Sequence, residues 1–252
     1  MDSWIVCHKP NPEACLRLFC FPYAGAGASI FQSWSSQLPD AIEVCSVQLP
    51  GRERRFREPL FTELASLIDA LTPALLPHLD RPFAFFGHSV GALISFAAAQ
   101  QLWQSHGFSP LHLFVSGRQA PQTAALKPPI HHLPDAEFLE KLRQYNGTPS
   151  AVLENAELMS LFLPILRADL AINDAVGFDR NSPLACPISA FGGLEDDLVS
   201  HDALAAWRKQ TCDRFTLQLF PGDHFFLKHQ QAALLETIKL ELLPIIHKIR
   251  PQ

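Results

Sequence analysis

Short apolar runs and longer stretches of helical periodicity take turns along this chain. Leu16-Arg17-Leu18-Phe19-Cys20-Phe21 is compact, apolar and aromatic and stops at Pro22, which reads as a buried strand. Ile42 to Leu49 reads the same way and ends at Pro50-Gly51. Phe61 to Leu79 carries apolar residues at the spacing of one helix face. Strand Pro82 to Phe86, helix Ala92 to Trp103 and strand Leu111 to Val115 follow. Further on come strand Pro187 to Phe191, helix Asp202 to Thr211, strand Phe215 to Phe220 and helix Gln230 to Ile249.

The alternation breaks between Gln119 and Arg180. Pro121, Pro128-Pro129 and Pro134 punctuate this stretch, and its periodic segments, Asp135 to Tyr145 and Glu154 to Ile172 with an interruption at Pro164, are helical. Strand–helix alternation on both sides predicts an α/β fold: a mainly parallel sheet with helices on both faces. The strand-free stretch predicts a helical lid, residues 119–180, inserted over that sheet within a single domain of residues 1–252. No internal repeat or low-complexity segment is visible.

Composition narrows the function. Apolar residues are 48% and charged residues 18% of 252, enough for a sizeable core. The formal charge is −5 and the sole basic cluster is Arg52-Glu53-Arg54-Arg55, so a nucleic-acid partner is not expected. The six cysteines form no C-x-x-C pair and no zinc-spaced Cys/His cluster, so no metal is expected. Met1-Asp2-Ser3-Trp4 does not open a signal peptide, and no apolar run reaches spanning length. A cytoplasmic protein with reduced thiols, no membrane partner and a monomeric state is the expectation.

The candidate chemistry begins at Gly87-His88-Ser89-Val90-Gly91, a G-x-S-x-G string. An apolar strand runs into it and an Ala-rich helix runs out, the context in which a serine nucleophile sits on a sharp turn. The two glycines suit a turn whose neighbours lie too close for a Cβ. Of eleven histidines, His224 follows the last strand and precedes the last helix, the place of a general base. His229 is expected at the start of that helix, His131 and His132 in the lid, and His88 as a packed neighbour of the serine. The orienting carboxylate should follow strand Pro187 to Phe191, where Glu195, Asp196 and Asp197 compete; spacing leaves the two aspartates unresolved. One oxyanion donor should be the backbone N–H of Val90. The other should come from the Gly-rich loop after the first of these strands, where Tyr23 and Ala24 are the alternatives and Ala24 is preferred. That loop lacks both G-x-G-x-x-G and Gly-Lys-Ser/Thr, so it is not a nucleotide site.

These segments together resemble the type II thioesterases, free-standing editing enzymes of nonribosomal peptide and polyketide synthesis in the α/β-hydrolase superfamily. The resemblance rests on Phe19-Cys20-Phe21-Pro22-Tyr23-Ala24-Gly25, Gln48-Leu49-Pro50-Gly51-Arg52-Glu53, Gly87-His88-Ser89-Val90-Gly91, Leu166-Arg167-Ala168-Asp169, Gly192-Gly193 with Asp196 and Val199, and Pro221-Gly222-Asp223-His224-Phe225-Phe226. It implies the α/β-hydrolase fold, selects Asp196 as the acid of the triad Ser89, Asp196 and His224, and implies hydrolysis of an acyl thioester. The substrate it implies is carried on the phosphopantetheine arm of an acyl or peptidyl carrier protein, and no cofactor is needed. Val90 and Tyr23 stand where the family often has Met and His. Arg52, Arg54 and Arg55 are then a candidate docking cluster for an acidic carrier, and Arg167 and Asp169 candidates for bracing the lid helix to the core.

Overall fold

Seven strands carry the apolar runs in the computed structural model, which describes residues 4–145, 147, 150–174 and 183–249. In chain order they are β1 (Ile5–Cys7), β2 (Leu16–Phe21), β3 (Ile42–Val47), β4 (Phe83–His88), β5 (Leu113–Ser116), β6 (Ile188–Gly193) and β7 (Phe215–Phe220). The helices are α1 (Leu64–Leu75), α2 (Val90–His106), α3 (Asp135–Gln144), α4 (Ser150–Leu153), α5 (Ala156–Asn173), α6 (His201–Ala205), α7 (Phe226–His229) and α8 (Gln231–Ile249). The sheet order is β1-β3-β2-β4-β5-β6-β7, with β1 antiparallel and every other pair parallel.

Both sheet faces are covered, which is why the inner strands read as mostly apolar runs. On β2 and β4, Phe19, Phe21, Phe83 and Phe85 belong to the core shared with α1 and α2. Leu18, Cys20, Ala84 and Phe86 belong to the opposite core under α8 and the 3-10 segment Ala28–Ser36. Helix α2 is buried all round from Val90 to Gln100, packed between the sheet, α1 and α5. Strand order reverses between β2 and β4, which leaves a crevice at their C-terminal ends, the usual ligand position in such sheets. This is the expected α/β-hydrolase arrangement. Among the described residues of 119–180 every helix or strand is a helix, α3, α4 or α5; residues 175–180 of the expected lid lie outside the described set.

Several bounds differ from the pattern-based ones. The Phe61 to Leu79 helix is shorter, α1 giving way to a 3-10 turn at Leu76–His78. The expected break at Pro164 does not occur: α5 runs through it. An interior proline costs about 3 kcal/mol, and burial of Met159, Ile165, Leu166 and Ile172 offsets that. His229 ends the short α7 rather than opening the last helix. No described helix is long and apolar enough to cross a membrane, and no disulfide joins any of the six cysteines.

One buried polar group makes stability depend on pH. His112 is 1% exposed; its Nε2 lies 2.9 Å from Ser189 Oγ and its ring stacks on Phe114. Burial lowers its pKa from 6.5 to about 4. The folded state thus binds its proton more weakly than the unfolded state, so the contribution is intact above pH 6.5 and lost as pH falls towards 4. The full loss is about 3 kcal/mol. Urea unfolding of wild type and His112→Gln at pH 7 and pH 4.5 checks this: the stability gap between the two should shrink at the lower pH. An unchanged gap would contradict it.

Candidate active site

Ser89 stands between β4 and α2 with φ 55° and ψ −120°, a conformation that costs a non-glycine residue about 1–3 kcal/mol. Close packing holds it there. A Cβ on Gly87 would lie 2.2 Å from the Gly91 carbonyl oxygen, and one on Gly91 2.2 Å from the Phe21 carbonyl oxygen. The helix start is thus pressed against the end of β2, where the Gly-rich loop begins. The Ser89 N–H donates to the Ser116 carbonyl at 2.8 Å, tying the turn to β5. Val90 opens α2, so its N–H has no partner within the helix and lies at the positive end of the helix dipole.

His224 lies in the loop after β7 and is 6% exposed. Its Nδ1 is 2.8 Å from Asp196 Oδ2. The other carboxylate oxygen of Asp196 accepts the N–H groups of Leu198 at 2.8 Å and Val199 at 3.1 Å. With Asp196 Oδ1 taken by two backbone N–H groups, the His224 tautomer that donates from Nδ1 to Oδ2 is the one that leaves Nε2 as the basic nitrogen. Asp197 points outward and pairs with Lys127 at 3.1 Å. Of the two aspartates left open by spacing, Asp196 is the one that meets the histidine.

His88 is fully buried beside them. Its Nδ1 is 2.9 Å from Ser116 Oγ and its ring centroid 5.2 Å from that of His224. Burial, reinforced by the neighbouring His224, holds its pKa well below the usual histidine range. It is a neutral packing partner, as expected. Tyr23 and Phe225 complete an aromatic wall around it.

A cleft of about 940 Å³ opens over these groups, lined by Tyr23, Ala24, Ser89 and His224 below and Ile130, Leu142, Tyr145, Leu166 and Leu170 above. A second cleft, about 1020 Å³, shares Tyr23, Ala24 and Leu166 with it and continues past Ile30, Phe56, Val152 and Phe162. In the loop between them, the Ala26 N–H donates to the Tyr23 carbonyl and the Gly25 N–H to Asp169. Those two amides are engaged within the protein; Ala24 faces the cleft that holds Ser89.

The structure therefore gathers Ser89, His224 and Asp196, with Val90 at the helix start and Ala24 on the shared wall. It corrects the arginine cluster. Arg52 and Arg55 are buried, at 5% and 4% exposure. Arg52 pairs with Asp169, and Arg55 with Glu58 while stacking over Trp4. Only Arg54 of the three is exposed, with Arg57 the other exposed arginine of that loop, so Arg52, Arg54 and Arg55 do not form one solvent-facing cluster. Asp169 does tie α5 to the core, whereas Arg167 binds the His131 carbonyl and Asp135, tying α5 to the start of α3. The cleft's upper wall carries no motif in the sequence. Its signal was the spacing of Leu166, Leu170 and Asn173, one face of α5 turned to the cavity.

Among the described residues one group could hold a metal: Cys7, Glu43 and Cys45. It lies near the start of β3, at the end of the sheet away from Ser89, and the Glu43 charge is already met by Arg17 at 2.6 Å.

Comparison with known proteins gives a family for the whole chain. The profile of one family, the thioesterase domain, matches residues 16–242. The chain is 46% identical over 250 residues to the gramicidin S biosynthesis protein GrsT of Aneurinibacillus migulanus, covering 98% of each. It is 47% identical over 244 residues, 96% of this chain and 93% of the other, to a Brevibacillus parabrevis protein named linear gramicidin dehydrogenase LgrE. The solved type II thioesterase BorB from the borrelidin biosynthetic cluster superposes with a TM-score of 0.86 at 33% identity, covering 95% of this chain and 97% of that one.

Proposed function

This chain belongs to the thioesterase domain family, and from that premise we propose that it clears acyl groups from the phosphopantetheine arms of carrier proteins in nonribosomal peptide or polyketide synthesis. Ser89 is the nucleophile, His224 the base, Asp196 its orienting acid, and the N–H groups of Val90 and Ala24 the oxyanion hole. The observation that carries this reading is the 2.8 Å contact between His224 Nδ1 and Asp196 Oδ2 at the rim of the cleft that holds Ser89.

In the proposed reaction, Ser89 Oγ attacks the thioester carbonyl and gives its proton to His224 Nε2. Asp196 stabilises the imidazolium through Nδ1. The oxyanion takes hydrogen bonds from the two backbone amides. Collapse expels the thiolate, which takes the proton from His224, and an acyl-enzyme ester remains. Water, deprotonated by the same nitrogen, repeats the cycle and releases the acid. A thioester needs no further activation, so the reaction runs without metal or cofactor. The proposed site is built from one chain, and a monomer suffices. GrsT belongs to gramicidin S biosynthesis and BorB to the borrelidin cluster; a pathway of that kind supplies misloaded carriers as substrates. The name of LgrE does not extend to this chain, whose Gly-rich loop lacks the spacing of a dinucleotide site.

The test compares kcat/KM for acetyl groups on a carrier protein, on coenzyme A and on a simple alcohol ester. Preference for the carrier thioester is the expected result. Equal or better turnover of the alcohol ester would assign the protein to general esterase chemistry.

A further inference from the structure

Helix α5 reaches into the loop that follows β2 through Leu166, which packs at Gly25, and through one carboxylate. Asp169 is 2% exposed. Its Oδ2 accepts the Gly25 N–H at 2.7 Å and Arg52 Nη1 at 2.5 Å, while Oδ1 accepts Arg52 Nη2 at 2.8 Å. The guanidinium in turn donates to the Ala26 carbonyl at 3.4 Å and the Pro50 carbonyl at 3.1 Å. So the buried pair grips the loop on two successive residues, by the N–H of Gly25 and the C=O of Ala26. The Ala26 N–H closes the same segment onto the Tyr23 carbonyl, making a four-residue turn with Ala24 and Gly25 at its centre.

We propose that Asp169 and Arg52 are positioning residues for the reaction: they aim the Ala24 N–H at the oxyanion by fixing the peptide that follows it. The Gly25 nitrogen shares a peptide plane with the Ala24 carbonyl. The Ala24 N–H shares the preceding peptide plane with the Tyr23 carbonyl, which the Ala26 N–H holds, so clamping the Gly25 N–H and the Ala26 carbonyl fixes the planes on both sides of Ala24 and with them the direction of its N–H. The clamp spans two parts of the fold, since Asp169 belongs to α5 and Arg52 to the loop after β3. Oxyanion geometry is correct only while α5 is seated. This inference rests on the catalytic reading above, because it needs Ala24 to serve the oxyanion.

A bidentate buried pair could serve stability alone, and the two roles separate experimentally. Removing one partner strands a buried charge and can unfold the protein. Replacing both with apolar groups of similar size is often neutral for the fold. The informative variant is therefore Arg52→Met with Asp169→Leu, beside Asp169→Asn, wild type and Ser89→Ala. Each is assayed on an activated thioester of coenzyme A and for binding of a phosphonate analogue of the tetrahedral intermediate. The double variant should melt close to wild type yet lose about 10²–10³-fold in kcat, the usual cost of one oxyanion donor. Its KM should stay within about threefold of wild type, and analogue affinity should fall in step with kcat. Asp169→Asn, which keeps an acceptor for Gly25, should lose less. A folded double variant with kcat within about threefold of wild type would overturn the proposal, as would a loss seen only in KM. Hydrolysis that survives Ser89→Ala would unseat the catalytic reading itself, and the clamp with it; that outcome is distinct from a failure of the clamp alone.

Discussion

Ser89→Ala should lower kcat/KM for an acyl thioester by about 10⁴-fold or more, the scale on which removal of a triad member acts. The fold should survive. The turn is held by the approach of Gly87 to Gly91, by Gly91 against Phe21, and by the Ser89 N–H on Ser116, none of which uses the hydroxyl. Alanine must adopt the same positive φ, so the backbone strain neither rises nor falls. Thermal melting and single-turnover hydrolysis, measured side by side, check both halves of the expectation. A folded variant keeping more than about a hundredth of the wild-type rate would remove Ser89 from the nucleophile's role.

Asp196→Asn should also lose about 10⁴-fold in kcat, through a different route. The amide can present a donor to Nδ1, which turns the imidazole into the tautomer whose Nε2 already carries a proton. Asp197→Asn should stay within about twofold, because that side chain is exposed and its pair with Lys127 is a surface contact worth under about 1 kcal/mol. The same kinetic assay distinguishes them. Loss of activity in Asp197→Asn with retention in Asp196→Asn would reverse the assignment.

The two aspartates show where spacing alone runs out and only the resemblance to a family selects Asp196. Both follow β6 and both lie within reach of a plausible loop, so spacing could not choose; the side-chain direction that decides between them depends on Leu198 and Val199 turning their amides onto one carboxylate. The strands were legible because burial on both faces leaves mostly apolar runs, interrupted by Arg17 in β2 and by Glu43 and Ser46 in β3, that end at Pro22 or Pro50. Strand β1 left no such trace, being three residues long and held at the edge by pairing with β3. Helix α2 starts at Val90 rather than Ala92 because Ser89 itself caps it in an unusual conformation that periodicity does not encode. The arginines misled for a physical reason. An arginine in a polar-looking loop reads as solvated, and what buries Arg52 is a carboxylate 117 residues away. Long-range pairing of that kind appears only when α5 is folded onto the loop.

Pro164 gives α5 two unequal halves. Proline has no N–H for the carbonyl one turn earlier, so the halves are joined by one rung fewer than in an ordinary helix. The half before it exposes Leu158 and Leu161 and lends Leu161 and Phe162 to the second cleft. The half after it carries Leu166 and Asp169, packed on the loop next to Ser89. Inheritance can act on the two separately. Changes ahead of the proline at Leu161 and Phe162 would recontour the second cleft, while changes behind it would reach the Ser89 cleft through Leu166, Leu170 and Asn173 and the Gly25 amide through Asp169. Substitutions in the first half are therefore expected to leave the loop next to Ser89 in place, whereas those at Leu166 and Asp169 should disturb it.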